Sequence, residues 1–170
     1  RMPIHPSSRF IVFDHNGSVV GVSQKEHEQI YPHPGWVEHD PMTILESVKV
    51  DKYNALHVDV HLGLLGEGFY IPFFLAAVGI TNQRETLVMW DKSVTVLELM
   101  HRTTGMPLYN AIVWMDCRGD EVINHFTDLH DKEWYHQRTG LPLSSYFTGP
   151  KLYWAITYLP EVKKAMEDGK

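Results

Sequence analysis

Residues 10–22 read FIVFDHNGSVVGV. Two runs of apolar β-formers, 10–13 and 19–22, flank Asn16-Gly17, a dipeptide that marks a hairpin because both of its residues tolerate positive φ. Two antiparallel strands are therefore expected. Working outward, Pro32, Pro34 and Gly35 break the chain, residues 36–38 suit a short third strand, and Asp40 can cap a helix running from Pro41 to about Val50. Three strands followed by a helix open an α/β unit.

The pattern continues downstream. Residues 75–80 form a compact apolar run of the kind that makes a buried strand, and 86–90 and 111–114 repeat it with turn residues between. Residues 118–129 suit an amphipathic helix, with Val122, Ile123, Phe126 and Leu129 at helical spacing, and 151–158 suit another that stops near Pro160. The polar stretch 163–170 reads as a frayed end. Residues 49–74 and 93–102 show no clean period, and both stand out as insertion-like.

Composition narrows the function classes. A chain of 170 residues with 44% hydrophobic and 21% charged residues can bury a real core. Its formal net charge is −6 and it contains no Lys/Arg block, so no electrostatic footprint for a nucleic-acid backbone or an anionic membrane is present. Cys117 is the only cysteine, which excludes an internal disulfide and favours a reducing compartment, the cytoplasm. The longest charge-free apolar stretch, 68–80, is interrupted by Pro72 and Gly79 and is shorter than the ~20 residues of a membrane span. Residues 1–6 resemble neither a secretory signal nor a transit peptide, and position 1 is Arg, so the chain reads as one that begins inside a longer one.

Several residues could carry chemistry. Asn82-Gln83-Arg84-Glu85 follows an apolar run expected to be a strand, and in open α/β folds ligands bind at the carboxyl ends of strands. An Arg beside a Glu offers fixed donors and a carboxylate acceptor together, which suits neighbouring hydroxyls that each give and take a hydrogen bond. A surface ion pair is the plainer alternative, and both stay open at this point. Trp114 and Tyr146 could add an indole face and a phenol hydroxyl to the same pocket, or serve as core or rim aromatics. His57 and His61 are four apart, but Val58 stands where a helix-borne zinc motif needs glutamate, so zinc is not expected. Cys117 lies in no known nucleophile signature and reads as a passive thiol.

Five blocks carry a resemblance: SSRFIVFD at 7–14, QKEHEQIYPHPGWVEHDPM at 24–42, AVGITNQRET at 77–86, GMPLYNAIVWMDCR at 105–118 and TGLPLSSYFTGPKL at 139–152. In this order they resemble the glycerol kinases of the FGGY carbohydrate kinase family. The resemblance implies an actin-like, ribonuclease H-like α/β kinase fold of two domains around a cleft, with residues 7–170 as an incomplete N-terminal domain. It implies ATP and Mg²⁺ as cofactors and glycerol as the acceptor, giving sn-glycerol 3-phosphate. Matched residue by residue, Arg84, Glu85 and Tyr146 correspond to glycerol contacts, Trp114 to the aromatic wall, and Ser7 and Arg9 to the tail of the nucleotide phosphate loop.

The departures from the family pattern matter as much. The family places Gly and two Thr just before the Ser-Ser-Arg, where this chain reads Arg1-Met2-Pro3-Ile4-His5-Pro6, and prolines remove the backbone donors that cradle phosphates. The family's catalytic aspartate lies in a Gly-Asp-Gln motif that matches no position here, so no catalytic residue is assigned. Asp14 matches a strand end and Asp116 sits beside Arg118, where a structural ion pair is expected. The isolated chain is accordingly expected to be inactive, with a non-catalytic glycerol-binding or interaction protein as the alternative. A kinase of another polyol or sugar ranks below both, and homo-oligomerisation stays open. The unusual start and the two insertion-like segments suggest imperfect exon joining or an incompletely delineated gene.

Overall fold

The structure, a computed structural model, describes residues 6–56, 75–91 and 107–169. Residues 93–102, His57 and His61 lie outside them, as does most of 49–74. The chain divides into two compact units, one of residues 1–28 and 42–82, the other of 29–41 and 83–170.

In the first unit β1 (Ser7–Phe13) pairs antiparallel with β2 (Val19–Glu26), with Ile11 opposite Val22 and a register irregularity at Val12/Phe13. The turn is the expected one. Asp14 Oδ1 accepts from the Asn16 and Ser18 amides at 2.9 and 2.8 Å, and Gly17 takes φ +81°. The Ser18 amide, above all, holds the Asp14 carboxyl below its ordinary value, which fits a turn residue. Helix α1 (Pro41–Leu56) runs about a turn and a half past the expected end, into the segment read as unpatterned. Ala55 packs with Val12 and Phe10, and the helix also buries Ser47 and Asp51 in hydrogen bonds. Ser23 donates to Asp51 Oδ1 at 2.7 Å, Ser47 to Ser8 at 3.1 Å, and Ser8 Oγ lies 2.9 Å from His27 Nε2. A helix that docks through hydroxyls and a carboxylate lacks the apolar stripe by which periodicity is read.

The second unit is built on a two-residue antiparallel pair, β3 (Glu38–His39) with β4 (Ala111–Ile112), extended by bridges from Ile30 to Glu38 and from Leu87 to Ile112. The expected strands at 36–38, 86–90 and 111–114 are thus present in shortened form. The expected strand at 75–80 is not: these residues pair with no described strand and Ile80 is 92% exposed. An apolar run becomes a strand only where a neighbour completes its ladder.

Against this sheet pack α2 (Asp120–Leu129), α4 (Thr148–Tyr158) and α5 (Pro160–Glu167), with α3 (Lys132–Thr139) between the first two in sequence. The core joins Leu87, Met89 and Ile112 to Val122, Trp154 and Val162. The end read as frayed is instead the helix α5, because Pro160 starts it without wasting an amide and Val162 and Ala165 share a buried face. No helix among the described residues is long and apolar enough to cross a membrane.

Candidate substrate site

The site lies wholly in the second unit, on three chain segments, and each is fixed from below. Two backbone hydrogen bonds of 2.9 Å tie Leu87 to Ile112 and so anchor the turn that carries Arg84 and Glu85. Glu85 takes φ +58°, the left-handed region that a side chain with a Cβ enters only when held there. Its holder is Thr148, whose backbone amide and hydroxyl donate to Glu85 Oε2 at 2.9 and 3.0 Å. Phe147, the residue before α4, offers no side-chain cap, so a carboxylate 63 residues away satisfies the first helix amide instead. Oε1 makes no hydrogen bond with a described residue, and Arg84 stays exposed on the same turn.

The second segment leaves β4 through Val113 and Trp114 into a buried ionic cluster. Arg118 donates from Nε to Asp116 Oδ1 at 2.8 Å, and from Nη2 to Asp116 Oδ2 at 2.8 Å and Glu38 Oε1 at 2.7 Å. Tyr109 and Asn110 donate to the two Glu38 oxygens at 2.9 Å each, and the Val37 amide donates to Asp116 at 2.6 Å. Trp36 and Trp154 stack on the guanidinium with ring centroids 4.0 and 4.8 Å from its Cζ. Burial alone would pull the arginine down, but bonds to Asp116 and Glu38 outweigh it and hold the group above its ordinary value. Asp116 is therefore a structural partner, as its place beside Arg118 suggests.

The third segment, 144–148, turns into α4. Tyr146 sits edge-on to Trp114 with centroids 5.9 Å apart and is 39% exposed. Beneath the turn lies Lys151, wholly buried, which donates to the carbonyls of Ser145 at 2.8 Å, Phe147 at 3.3 Å and Tyr146. Burial lowers its ammonium to about 8, against the attraction of Asp116 and Glu85.

Arg84, Glu85, Trp114 and Tyr146 are thus brought into one neighbourhood through the Glu85–Thr148 bond and the Trp114–Tyr146 contact. Sequence reasoning missed Thr148 and Lys151. A signal for the lysine existed: it shares a helix face with Trp154 and Ala155, three and four residues on, both buried. Ser7 and Arg9 belong to the other unit, exposed on β1. Gln24 donates to Ser7 Oγ at 2.9 Å, and Arg9 donates to Gln24 Oε1 through Nε at 3.0 Å and Nη2 at 2.7 Å. Their donor types suit a phosphate, and as placed they are engaged across the hairpin with Gln24. Among the described residues no group of three or more His, Cys, Asp or Glu could hold a metal ion.

Residues 6–168 match the family model for the N-terminal domain of the FGGY family of carbohydrate kinases. The chain is 46% identical over 163 residues to the glycerol kinase of Acidiphilium cryptum and 44% identical over 163 to that of Beutenbergia cavernae. In each case 96% of this chain is covered, but only 29% and 28% of the relative. The crystal structure of Plasmodium falciparum glycerol kinase with ADP superposes with a TM-score of 0.74 at 33% identity, over 96% of this chain and 29% of that one. Xylulose kinase from Lactobacillus acidophilus, 20% identical with a TM-score of 0.68, shares the fold. The chain thus spans less than a third of the length of these relatives, and it belongs to the FGGY family of carbohydrate kinases through their N-terminal, actin-like domain.

Proposed function

We propose that this chain forms the polyol-binding part of an ATP-dependent kinase that phosphorylates glycerol to sn-glycerol 3-phosphate. The observation that carries the reading is Glu85, held at positive φ with Oε2 bound to Thr148, a fixed carboxylate beside the exposed Arg84. Beside it Arg84 supplies guanidinium donors, so a vicinal diol would find an acceptor for its hydroxyl protons and donors for its oxygens. The Trp114 and Tyr146 rings give the C–H edge of a short polyol an apolar wall, and the Tyr146 hydroxyl adds a third polar contact. Similarity to glycerol kinases over these same segments supports glycerol over a longer sugar.

ATP would supply the transferred phosphoryl group, with Mg²⁺ as its customary partner. No step is assigned to Ser7 or Arg9, because a phosphate would first have to displace Gln24 from them. The part played by the residues described here is to bind and orient the acceptor, with the Glu85 carboxylate fixed by Thr148. A single exposed thiol fits a reducing compartment such as the cytoplasm.

The test is the purified protein at its native length, supplied with ATP, Mg²⁺ and a panel of polyols and sugars. Glycerol 3-phosphate should form, and Arg84→Ala and Glu85→Ala should each raise the glycerol KM by roughly tenfold or more, the loss expected for a charge-assisted hydrogen bond. Transfer to a pentose or hexose in preference to glycerol, or no glycerol binding at all, would overturn the reading.

A further inference from the structure

We propose that Lys151 is a positioning residue for the acceptor site, setting the Tyr146 turn against Trp114 and thereby the affinity for glycerol; this rests on the function proposed above. An ammonium has three N–H donors, and three consecutive carbonyls, those of Ser145, Tyr146 and Phe147, converge on this one. Carbonyl oxygens brought toward one point repel one another, and a donor placed there offsets that repulsion. Three of them gathered on one half-buried turn are served by a cation at the focus, and Lys151 is wholly buried there. The lysine thus braces a turn that two bonds of its own also hold, from the Phe147 amide to the Ser144 carbonyl and from the Tyr146 amide to Ser144 Oγ, both at 3.2 Å.

The placement of that turn reaches the ligand-facing groups. Tyr146 is the middle of the three residues, its ring is 5.9 Å from Trp114, and its centroid lies 6.0 Å from the lysine Nζ. Thr148, which holds Glu85, is the next residue after the last of the three carbonyls. The charged groups acting on the ammonium are Asp116, from the segment after β4, and Glu85, from the turn before Leu87, and both attract it. Asp116 is itself held by Arg118 through an ion pair of 2.8 Å. The lysine thus grips the Tyr146 turn by hydrogen bonds and is drawn electrostatically by Glu85 and Asp116.

This role has a signature that packing alone lacks. Burial puts loss of the third proton near pH 8, within the working range of an enzyme assay. A neutral amine donates only two hydrogen bonds, so one carbonyl of the three is released and the turn loosens. Glycerol KM should therefore rise as pH passes about 8, by several-fold, while the KM for ATP stays level. Lys151→Arg keeps its charge throughout and should show a glycerol KM that is raised, because a planar fork cannot point at three convergent carbonyls, but independent of pH. Lys151→Met should raise glycerol KM by roughly tenfold at every pH with a smaller change in kcat.

The experiment is initial rates of the native-length protein and of both variants, from about pH 7 to about pH 9, varying glycerol and ATP separately. Wild-type glycerol KM that is flat across this range, or variants that match wild type in glycerol KM, would overturn the proposal while leaving glycerol phosphorylation standing. If Lys151→Met fails to fold, the wild-type pH series and the arginine variant still decide. A wild-type protein that does not act on glycerol at all removes this proposal together with the function it rests on.

Discussion

At Glu85 two effects of opposite sign meet in one residue. The left-handed backbone costs a side chain with a Cβ about 1–2 kcal/mol, and the Thr148 contact at the start of α4 returns a similar amount. Glu85→Ala loses the contact and keeps the strain, whereas Glu85→Gly loses both. The glycine variant should therefore be the more stable of the two by about 1 kcal/mol in urea unfolding, although both lose glycerol binding. Equal stability would mean that the turn does not hold positive φ in solution. Lys151 permits a second check. Its pKa is lowered in the folded state from 10.5 to about 8, so between those values the unfolded chain binds the extra proton and stability rises with pH. Relative to Lys151→Met, the wild type should gain stability from about pH 8 to about pH 10. Stability and acceptor binding then move in opposite directions with pH, as expected where a buried charge serves function at a cost to the fold. The Arg84–Glu85 pair was singled out as following the carboxyl end of a strand, but residues 75–80 form none, and the pair is placed instead by the turn before Leu87 and by Thr148. Lys151 was not legible in sequence, because a lysine in a helix ordinarily reads as solvated surface.

At the scale of elements, α3 is the test of what makes a helix without a core. None of its residues is fully buried, its ends are capped, and half-buried Tyr135 stacks on Phe126 and donates to its carbonyl at 2.9 Å. Asp131 Oδ1 accepts from the Trp134 amide at 2.7 Å, Gly140 takes φ +71° and donates to the His136 carbonyl at 2.8 Å, and Arg138 lies over the Trp134 ring at 3.8 Å. Asp131→Ala should destabilise α3 locally by about 1 kcal/mol, seen as faster amide exchange from Trp134 through Thr139 with α2 and α4 unchanged. Uniform acceleration across all three helices would show that α3 is held by packing instead. The same contrast explains which elements could be read from sequence. The opening hairpin and α2 announce themselves through Asn16-Gly17 and through apolar residues at helical spacing. The cap signals of α3, an Asp before it and a Gly after it, were present without any apolar period to frame them. Residues 75–80 had the apolar content of a strand, but pairing depends on a neighbour that composition cannot specify. β3 and β4 are two residues each, too short for alternation to show.

At the scale of the whole molecule, charge and tryptophan placement make the substrate class testable. All five tryptophans, Trp36, Trp90, Trp114, Trp134 and Trp154, lie in the unit that carries Arg84, Glu85 and Tyr146, so indole fluorescence reports on that unit alone. Trp114 is the one in contact with Tyr146, and Trp114→Phe should abolish most of a glycerol-induced change while Trp134→Phe leaves it intact. The chain carries a formal net charge of −6. An acidic or phosphorylated ligand would be repelled at long range and drawn only by the exposed Arg84, and raising salt from about 50 mM to about 500 mM shortens the screening length enough to change its affinity several-fold. Glycerol has no charge to screen. Its apparent affinity, read from tryptophan emission in the native-length protein, should shift by less than about twofold over the same salt range. A strong salt dependence would assign the Arg84–Glu85 turn to a charged acceptor, and the neutral, hydroxyl-matching reading of that pair would fall with it.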